Sequence, residues 1–160
     1  RLVGRESDGK FQSSPDTNAF YLVLKGFCQI GAIPAEIAKA PIDLMPIDRS
    51  AKEVLLLKRC DAVTYHIMNP LPPTIGEVFT TISKSNRIVD MNEFYNVLKE
   101  QSSKLERSLW ALVMNNINSN AMNPAIQVTN TKTTQALESL GIKAEGVDVD
   151  MVLKEFWKGE

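Results

Sequence analysis

The sequence is poor in the residues that build metal and redox sites. It contains one histidine, His66, and two cysteines, Cys28 and Cys60, in 160 residues. The cysteines form neither a Cys-x-x-Cys pair nor another metal-ligand spacing. We therefore expect no metal site, and we expect both thiols to be small buried groups in a reducing, cytoplasmic environment.

Long apolar runs and charge of one sign are also missing. No run approaches the roughly 20 apolar residues that span a bilayer, and no charged segment followed by an apolar one opens the chain. The formal net charge is −1, so the chain has no bulk field to attract nucleic acid or an anionic membrane. We expect neither as a partner.

Motifs for independent catalysis are absent too. The chain has no Gly-x-Gly-x-x-Gly or Walker loop, no His-Glu-x-x-His and no Gly-x-Ser-x-Gly. A lone histidine such as His66 is more often a hydrogen-bonded structural residue than a catalytic base. We therefore predict no catalytic, cofactor-binding or metal-binding residues within this chain.

What is present is an ordinary globular composition with helical patterning. Apolar residues make up 44% and charged residues 23%, which suits one soluble domain with a core. The patterns predict a mainly α chain with two or three short strands (α+β), too few for an independent doubly wound sheet. Helices are predicted to begin at Asp16 or Thr17, Asp48, Thr74, Asp90, Ser103, near Thr133 and near Val149, and strands to cover 42–45, 62–68 and 88–89.

Local signals support several of these helix starts. Thr74 with Glu77, and Ser103 with Glu106, have the spacing of a capping box. In the stretch IDLMPIDRSAKEVLLL, residues 42–57, a strand should stop at Pro46 and Asp48 should cap the next helix. The apolar spacing there predicts a buried stripe of Ala51, Val54 and Leu55.

Four segments, taken in order, resemble a known family. They are GRESDGKFQ at Gly4 to Gln12, Asn18 with Phe20, DLMPID at Asp43 to Asp48, and YHIMNP at Tyr65 to Pro70. This order is similar to the C-terminal portion of thioester reductase domains, which end nonribosomal peptide synthetases and related carboxylic acid and aminoadipate reductases. Ile47 stands where the family usually has valine. The resemblance covers nearly the whole chain and is looser after residue 100.

The resemblance implies a part of a larger oxidoreductase. The family belongs to the extended short-chain dehydrogenase/reductases, which bind NADPH on an N-terminal Rossmann domain. They use a Thr or Ser and a Tyr-x-x-x-Lys pair to release an acyl or peptidyl thioester, held on the phosphopantetheine arm of a carrier domain, as an aldehyde or alcohol. Tyr21 and Lys25 have that spacing here, but on a helix that the family places after the catalytic one, so we interpret the match as coincidence.

On this interpretation, residues 1–160 are a single substrate-binding subdomain without the Rossmann core, inert alone. The NADPH site and the catalytic pair would lie upstream of Arg1, and residues 1–15 would form a substrate-proximal loop, with 131–160 a C-terminal helical pair. Predicted to line the acyl or phosphopantetheine path are Arg5, Ser7, Asp8, Phe11, Gln12, Asn18 and Phe20. A Ser-Asp-Gly that merely forms a turn explains part of this loop equally well.

The predicted partners are the Rossmann domain of the same polypeptide, the carrier domain and its thioester. Candidate contacts to an acidic carrier are Lys25, Arg49, Lys52, Lys58 and Arg59, although ordinary solvated charges are the simpler interpretation. An apolar surface left uncovered could drive self-association. The alternatives are a lobe of another extended reductase or epimerase, or a free-standing helical interaction module.

Overall fold

Short helices alternate with very short strands along the chain. The computed structural model describes residues 2–11, 17–60, 64–101 and 129–153, with single positions at 103, 106, 110, 113, 114 and 117. The strands are β1 (Leu2–Val3), β2 (Ala32–Pro34), β3 (Met45–Pro46) and β4 (Arg87–Val89). The helices are α1 (Ala19–Ile30), α2 (Ala35–Ala38), α3 (Ile47–Leu57), α4 (Ile75–Ile82), α5 (Met91–Gln101), α6 (Thr131–Ser139) and α7 (Val149–Leu153). The predicted mainly helical fold class is confirmed.

The chain divides into two compact units. Unit 1 comprises Arg1–Gln12, Ile42–Pro73 and Ile126–Glu160, and unit 2 comprises Ser13–Pro41 and Thr74–Ala125. Helices α6 and α7 both lie within the predicted C-terminal pair, of which residues 154–160 fall outside the described part. A single functional subdomain over 1–160 stays a prediction.

Unit 1 is built on a parallel pair of two-residue strands. Leu2 of β1 is in register with Met45 of β3, and Val3 with Pro46. The predicted strand over 42–45 is thus shifted toward its proline, because the Ile42 N–H donates instead to the Pro73 carbonyl at 2.8 Å. The core side chains of this unit are Val3, Ile42, Leu44, Met45, Leu57, Leu137, Val152 and Leu153.

The segment around His66 is not the strand that its alternation predicts. Residues 64–68 have no regular structure, and 62 and 63 lie outside the described residues. Side chains from elsewhere in unit 1 bond to its backbone: the His66 N–H donates to Thr133 Oγ1 at 3.0 Å, and the Asn69 N–H to Asp43 Oδ1 at 2.7 Å. These side-chain acceptors take the place of a partner strand.

Unit 2 places β2 parallel to β4, with Ile33 opposite Ile88. The prediction of a strand at 88–89 is confirmed, whereas β2 was not predicted. Helix α1 ends at Gly31, whose φ of 73° suits glycine and whose N–H donates to Phe27 O at 2.9 Å. The fully buried aromatic rings of this unit are Tyr21, Phe27, Phe79 and Phe94.

Two helix starts in unit 2 test the capping predictions. The Thr74–Glu77 capping box is confirmed: the Glu77 N–H donates to Thr74 Oγ1 at 3.2 Å, and the Thr74 N–H to Glu77 Oε2 at 2.6 Å. The cap of α1 is Asn18, so the prediction of Asp16 or Thr17 is wrong. The Ser103–Glu106 box falls largely outside the described residues.

Two further expectations can be compared with the structure. Cys28 and Cys60 are half-buried, so their predicted burial in the core is only partial. Within the described ranges, no helix is both long enough and apolar enough to cross a bilayer.

Candidate functional site

Asp48 joins the opening loop to the start of α3. It lies in the first turn of the helix, one residue after Ile47, so its predicted role as N-cap is wrong. Its carboxylate accepts from the Glu6 N–H at 3.0 Å, the Ser7 N–H at 3.2 Å and its neighbour Arg49 N–H at 3.0 Å. Desolvation alone would raise the pKa of Asp48, but these N–H donors hold it below its usual value.

Arg49 makes a second connection to the same loop. Its Nε and Nη2 atoms donate to the Glu6 carboxylate. Nη1 donates to the Glu145 carbonyl at 2.8 Å, and Nη2 to the Gly146 carbonyl at 2.9 Å. Only 14% of the Arg49 side chain is exposed. The interpretation of Arg49 as an ordinary solvated charge is therefore wrong, because it ties three chain segments together. A contact between Arg49 and a carrier domain stays a prediction.

The opening loop is itself a closed turn. Arg5 Nε donates to Asp8 Oδ1 at 2.9 Å, and the Gly9 N–H donates to the Arg5 carbonyl at 2.7 Å, with Gly9 at a φ of 76°. The backbone N–H of Lys10 also donates to Asp8, and this bond is the largest single cause of the lowered pKa of Asp8, with Arg5 acting in the same direction. The predicted turn is present, with an exposed ion pair at its tip.

The predicted substrate-lining residues separate into three groups. Arg5, Ser7, Asp8 and Phe11 lie on the opening loop of unit 1, and Gln12 lies outside the described residues. The other two belong to unit 2: Asn18 Oδ1 accepts from the Phe20 N–H at 3.1 Å as the cap of α1, and the Phe20 ring lies 5.2 Å from that of Tyr21. A role for these seven residues toward substrate stays a prediction.

Helix α3 exposes the face that its sequence predicts to be buried. Val54 is 54% exposed and Leu55 71% exposed, and Ala51 is also exposed. With Ile47, they form an apolar row at spacings of three and four residues, which we call the exposed α3 stripe. The buried side chains of this helix are Glu53 and Leu57. An apolar helical stripe left in water marks a surface that usually packs against something.

The opposite face of α3 borders a cavity of about 320 Å³ within unit 1. Its walls come from α3, residues 68–70, α6 and residues 142–145. Glu53 lines it and is only 6% exposed, and its pKa is raised by desolvation against the opposing effect of the Arg49 charge. Sequence reasoning missed this cavity, because Glu53 four residues after Arg49 looks like half of a surface pair.

Comparison with solved structures identifies proteins of the same architecture. A thiolation-reductase di-domain from an archaeal non-ribosomal peptide synthetase matches over 97% of this chain, with a TM-score of 0.77 and 25% sequence identity. This chain has the fold of the C-terminal part of such a reductase domain. The terminal R domain from the myxalamid PKS-NRPS biosynthetic pathway matches over 95% of the chain, with a TM-score of 0.68 and 20% identity. The predicted resemblance is confirmed.

This chain is much shorter than the two proteins that it matches. It spans 34% of the archaeal di-domain and 39% of the myxalamid R domain. No family model and no curated protein matches the sequence. The likeness therefore comes from the three-dimensional fold together with the four short motifs.

Proposed function

We propose that this chain is the substrate-binding lobe of an NADPH-dependent thioester reductase, which releases a carrier-bound acyl or peptidyl thioester as an aldehyde or alcohol. One observation supports the proposal in addition to the similarity of fold. Two of the motif segments that resemble the family, the opening loop and the turn at Asp43 to Asp48, are joined by the bonds from Glu6 and Ser7 to Asp48. Residues that are 41 or 42 positions apart in the sequence are thus hydrogen-bonded to each other.

Neither the sequence motifs nor the described entry to α3 fit a dinucleotide. The sequence has no Gly-x-Gly-x-x-Gly loop, and the turn that enters α3 ends in Pro46, which offers no backbone N–H to a phosphate. We therefore assign NADPH and the reacting Tyr-x-x-x-Lys pair to another part of the reductase polypeptide. This chain would bind and orient the acyl chain through the opening loop.

The exposed α3 stripe is the surface that the cofactor-binding part would cover. The stripe needs an apolar partner, and the two solved structures are roughly two and a half to three times as long as this chain, as the 39% and 34% coverages imply. Burying Val54 and Leu55 against the rest of the reductase would remove both from water. Exposed cations such as Lys58 and Arg59 remain proposed contacts for a phosphopantetheinylated carrier domain.

Activity of the full polypeptide tests the function. We would read the encoding gene upstream of Arg1, express the whole protein, and follow NADPH absorbance with an acyl-phosphopantetheine thioester. We expect turnover by the whole protein and none by residues 1–160 alone. Phe11→Ala should raise KM more than it lowers kcat, whereas Leu140→Ala, an exposed apolar control, should change neither. Turnover by residues 1–160 alone, or none by the whole protein, would contradict the proposal.

A charge placed on the exposed α3 stripe tests the interface. Leu55→Lys should leave the unfolding free energy of residues 1–160 within about 0.5 kcal/mol, because Leu55 is 71% exposed. In the full reductase the same change should lower stability by more than 1.5 kcal/mol, roughly the cost of exposing a buried leucine. Leu71→Lys, at a site 60% exposed and off the stripe, is the control and should be harmless in both. Equal, small effects of Leu55→Lys in both proteins would contradict the interface, and loss of dimers by residues 1–160 would indicate self-association instead.

A further inference from the structure

The cavity in unit 1 has the size and lining of a small-molecule site. Its volume of about 320 Å³ is at the lower end of ligand pockets. Apolar side chains form much of its wall: Leu56, Met68, Pro70, Leu137, Ile142 and Ala144. Such a wall favours a short hydrocarbon chain.

One acidic residue of the cavity is buried and accepts no hydrogen bond from the part of the chain that the structure describes. Glu53 is 94% buried, and no described residue forms a hydrogen bond or an ion pair with its carboxyl. The nearest candidate, Arg49, already donates to Glu6, Glu145 and Gly146. A buried carboxylate without a donor is costly, so a ligand that supplies a cationic N–H donor would relieve that cost.

The charges around the cavity favour the same kind of ligand. Four acidic and three basic side chains line it. Glu6 and Arg49 are paired with each other, and Asp48 is occupied by backbone N–H groups. The other four charged residues of the lining are Glu53, which is buried, and Lys52, Lys143 and Glu145, which are exposed. Of these four residues Glu53 is the buried one, so the group that complements it is a cation.

We propose that this cavity is a ligand site for a primary ammonium group on a short apolar chain. The ammonium donates to the Glu53 carboxylate, and the chain lies against Leu56 and Leu137. The proposal does not rest on the reductase function, and its test measures binding rather than turnover. The same chemistry is carried by a free alkylamine and by the lysine side chain of a partner protein.

Two probes of equal chain length distinguish the contribution of the ammonium group to binding from that of the hydrocarbon chain. Residues 1–160 are titrated at pH 7.5 with n-pentylamine and with n-pentanol, and binding is followed by calorimetry and by amide chemical shifts. Nα-acetyl-lysine N-methylamide is titrated in parallel as the side chain of a partner. We expect pentylamine to bind at least tenfold more tightly than pentanol. Tighter binding of the lysine derivative would assign the site to a partner's lysine, and tighter binding of pentylamine to a free amine.

Variants locate the site. Glu53→Gln keeps the size of the side chain. It should lower the affinity for pentylamine at least tenfold and leave the affinity for pentanol unchanged. Glu138→Gln, on the exposed side of α6, is the matched control and should leave both affinities unchanged. Ala144 is exposed, so Ala144→Trp should leave the fold intact. The larger side chain should fill part of the cavity and lower the affinity for both probes. Equal affinity for amine and alcohol, no binding of the amine, or no effect of Glu53→Gln would overturn the proposal.

Discussion

Arg49 holds the Glu6 carboxylate through both Nε and Nη2, although 43 positions separate the two residues. The same guanidinium donates to the carbonyls of Glu145 and Gly146, 96 and 97 positions further along the chain. One side chain thereby connects all three segments of unit 1. Its planar fork provides the geometry, which an ammonium group does not.

Arg49→Lys should therefore destabilise unit 1. A lysine keeps the charge but cannot satisfy one carboxylate and two carbonyls in this arrangement, and the loss should be about 1–3 kcal/mol. Urea unfolding measures the difference, with Arg59→Lys at an exposed position as the control. Equal stability of the two variants would show that the fork contributes little.

Asp48→Asn should lower stability at neutral pH by roughly 1–3 kcal/mol, since a carboxylate that accepts three N–H groups becomes an amide. The folded pKa of Asp48 lies below its ordinary value of 3.8. The stabilisation is therefore fully present above the unfolded pKa and is lost as pH falls through the folded pKa. Unfolding titrations at pH 7 and pH 3 should show a large and then a smaller difference from wild type. Asp150→Asn, at an exposed site of α7, is the control and should change stability at pH 7 by less than about 0.5 kcal/mol.

Glu53→Gln should raise stability where Asp48→Asn lowers it, and the two differences from wild type should change in opposite directions with pH. Burial raises the folded pKa of Glu53 above its ordinary value of 4.5. Wild type therefore loses stability as pH rises from the unfolded pKa to the folded one, and the variant does not. We expect the free energy of unfolding of the variant to rise relative to that of wild type as pH increases above 4.5, as measured by urea unfolding. A difference that is constant with pH would mean that Glu53 is not charged at a cost in the folded state.

Gly4→Ala should be strongly unfavourable. A Cβ at this position would lie 2.5 Å from the Val152 carbonyl oxygen and 2.8 Å from that of Gly9, both backbone atoms. The backbone would have to move, at about 1–3 kcal/mol or more. Gly146→Ala is the control, because its nearest atoms lie 3.9 Å away, and it should change stability by less than about 0.5 kcal/mol. Thermal unfolding that gives similar midpoints for both would refute the close approach.

Thr74→Ala should remove the bond from the Glu77 N–H to Thr74 Oγ1 in the capping box at α4, while the backbone N–H of residue 74 can still donate to Glu77, and should cost about 1 kcal/mol. Thr81→Ala, at an exposed position of the same helix, controls for the change in side chain. Hydrogen exchange of the Glu77 amide should be faster in Thr74→Ala alone. Unchanged exchange there would show that the box does not hold the first turn.

The sequence predicts local structure of this chain better than it predicts which faces meet. The Thr74 box depends on neighbouring residues, and it is confirmed. In α3, apolar residues occupy both sides of the helix, so periodicity alone could not decide between Leu57 and the pair Val54 and Leu55. The buried side is set by α6, whose Thr133 and Leu137 are about 80 positions away, as the numbering shows.

The candidate site shows the same limit. Asp48 has the residue type of a cap and lies beside a helix start, but its acceptor atoms are used by Glu6 and Ser7. The loop turn at Arg5 to Lys10 was predictable from Ser-Asp-Gly. The cavity at Glu53 was not, because its walls come from separate segments and a glutamate on a helix has no sequence mark of burial.

The parallel pairing of β1 with β3, and the contact of Gly4 with Val152, also determine the order in which the protein can fold during synthesis. Every segment of unit 2 has left the ribosome once Ala125 has emerged, whereas unit 1 waits for residues after Ile126. Residues around Gly4 therefore wait for a partner that is translated much later, because the Gly4 N–H bonds to the Val152 carbonyl. A nascent chain stalled before that point would carry a complete unit 2 and an incomplete unit 1.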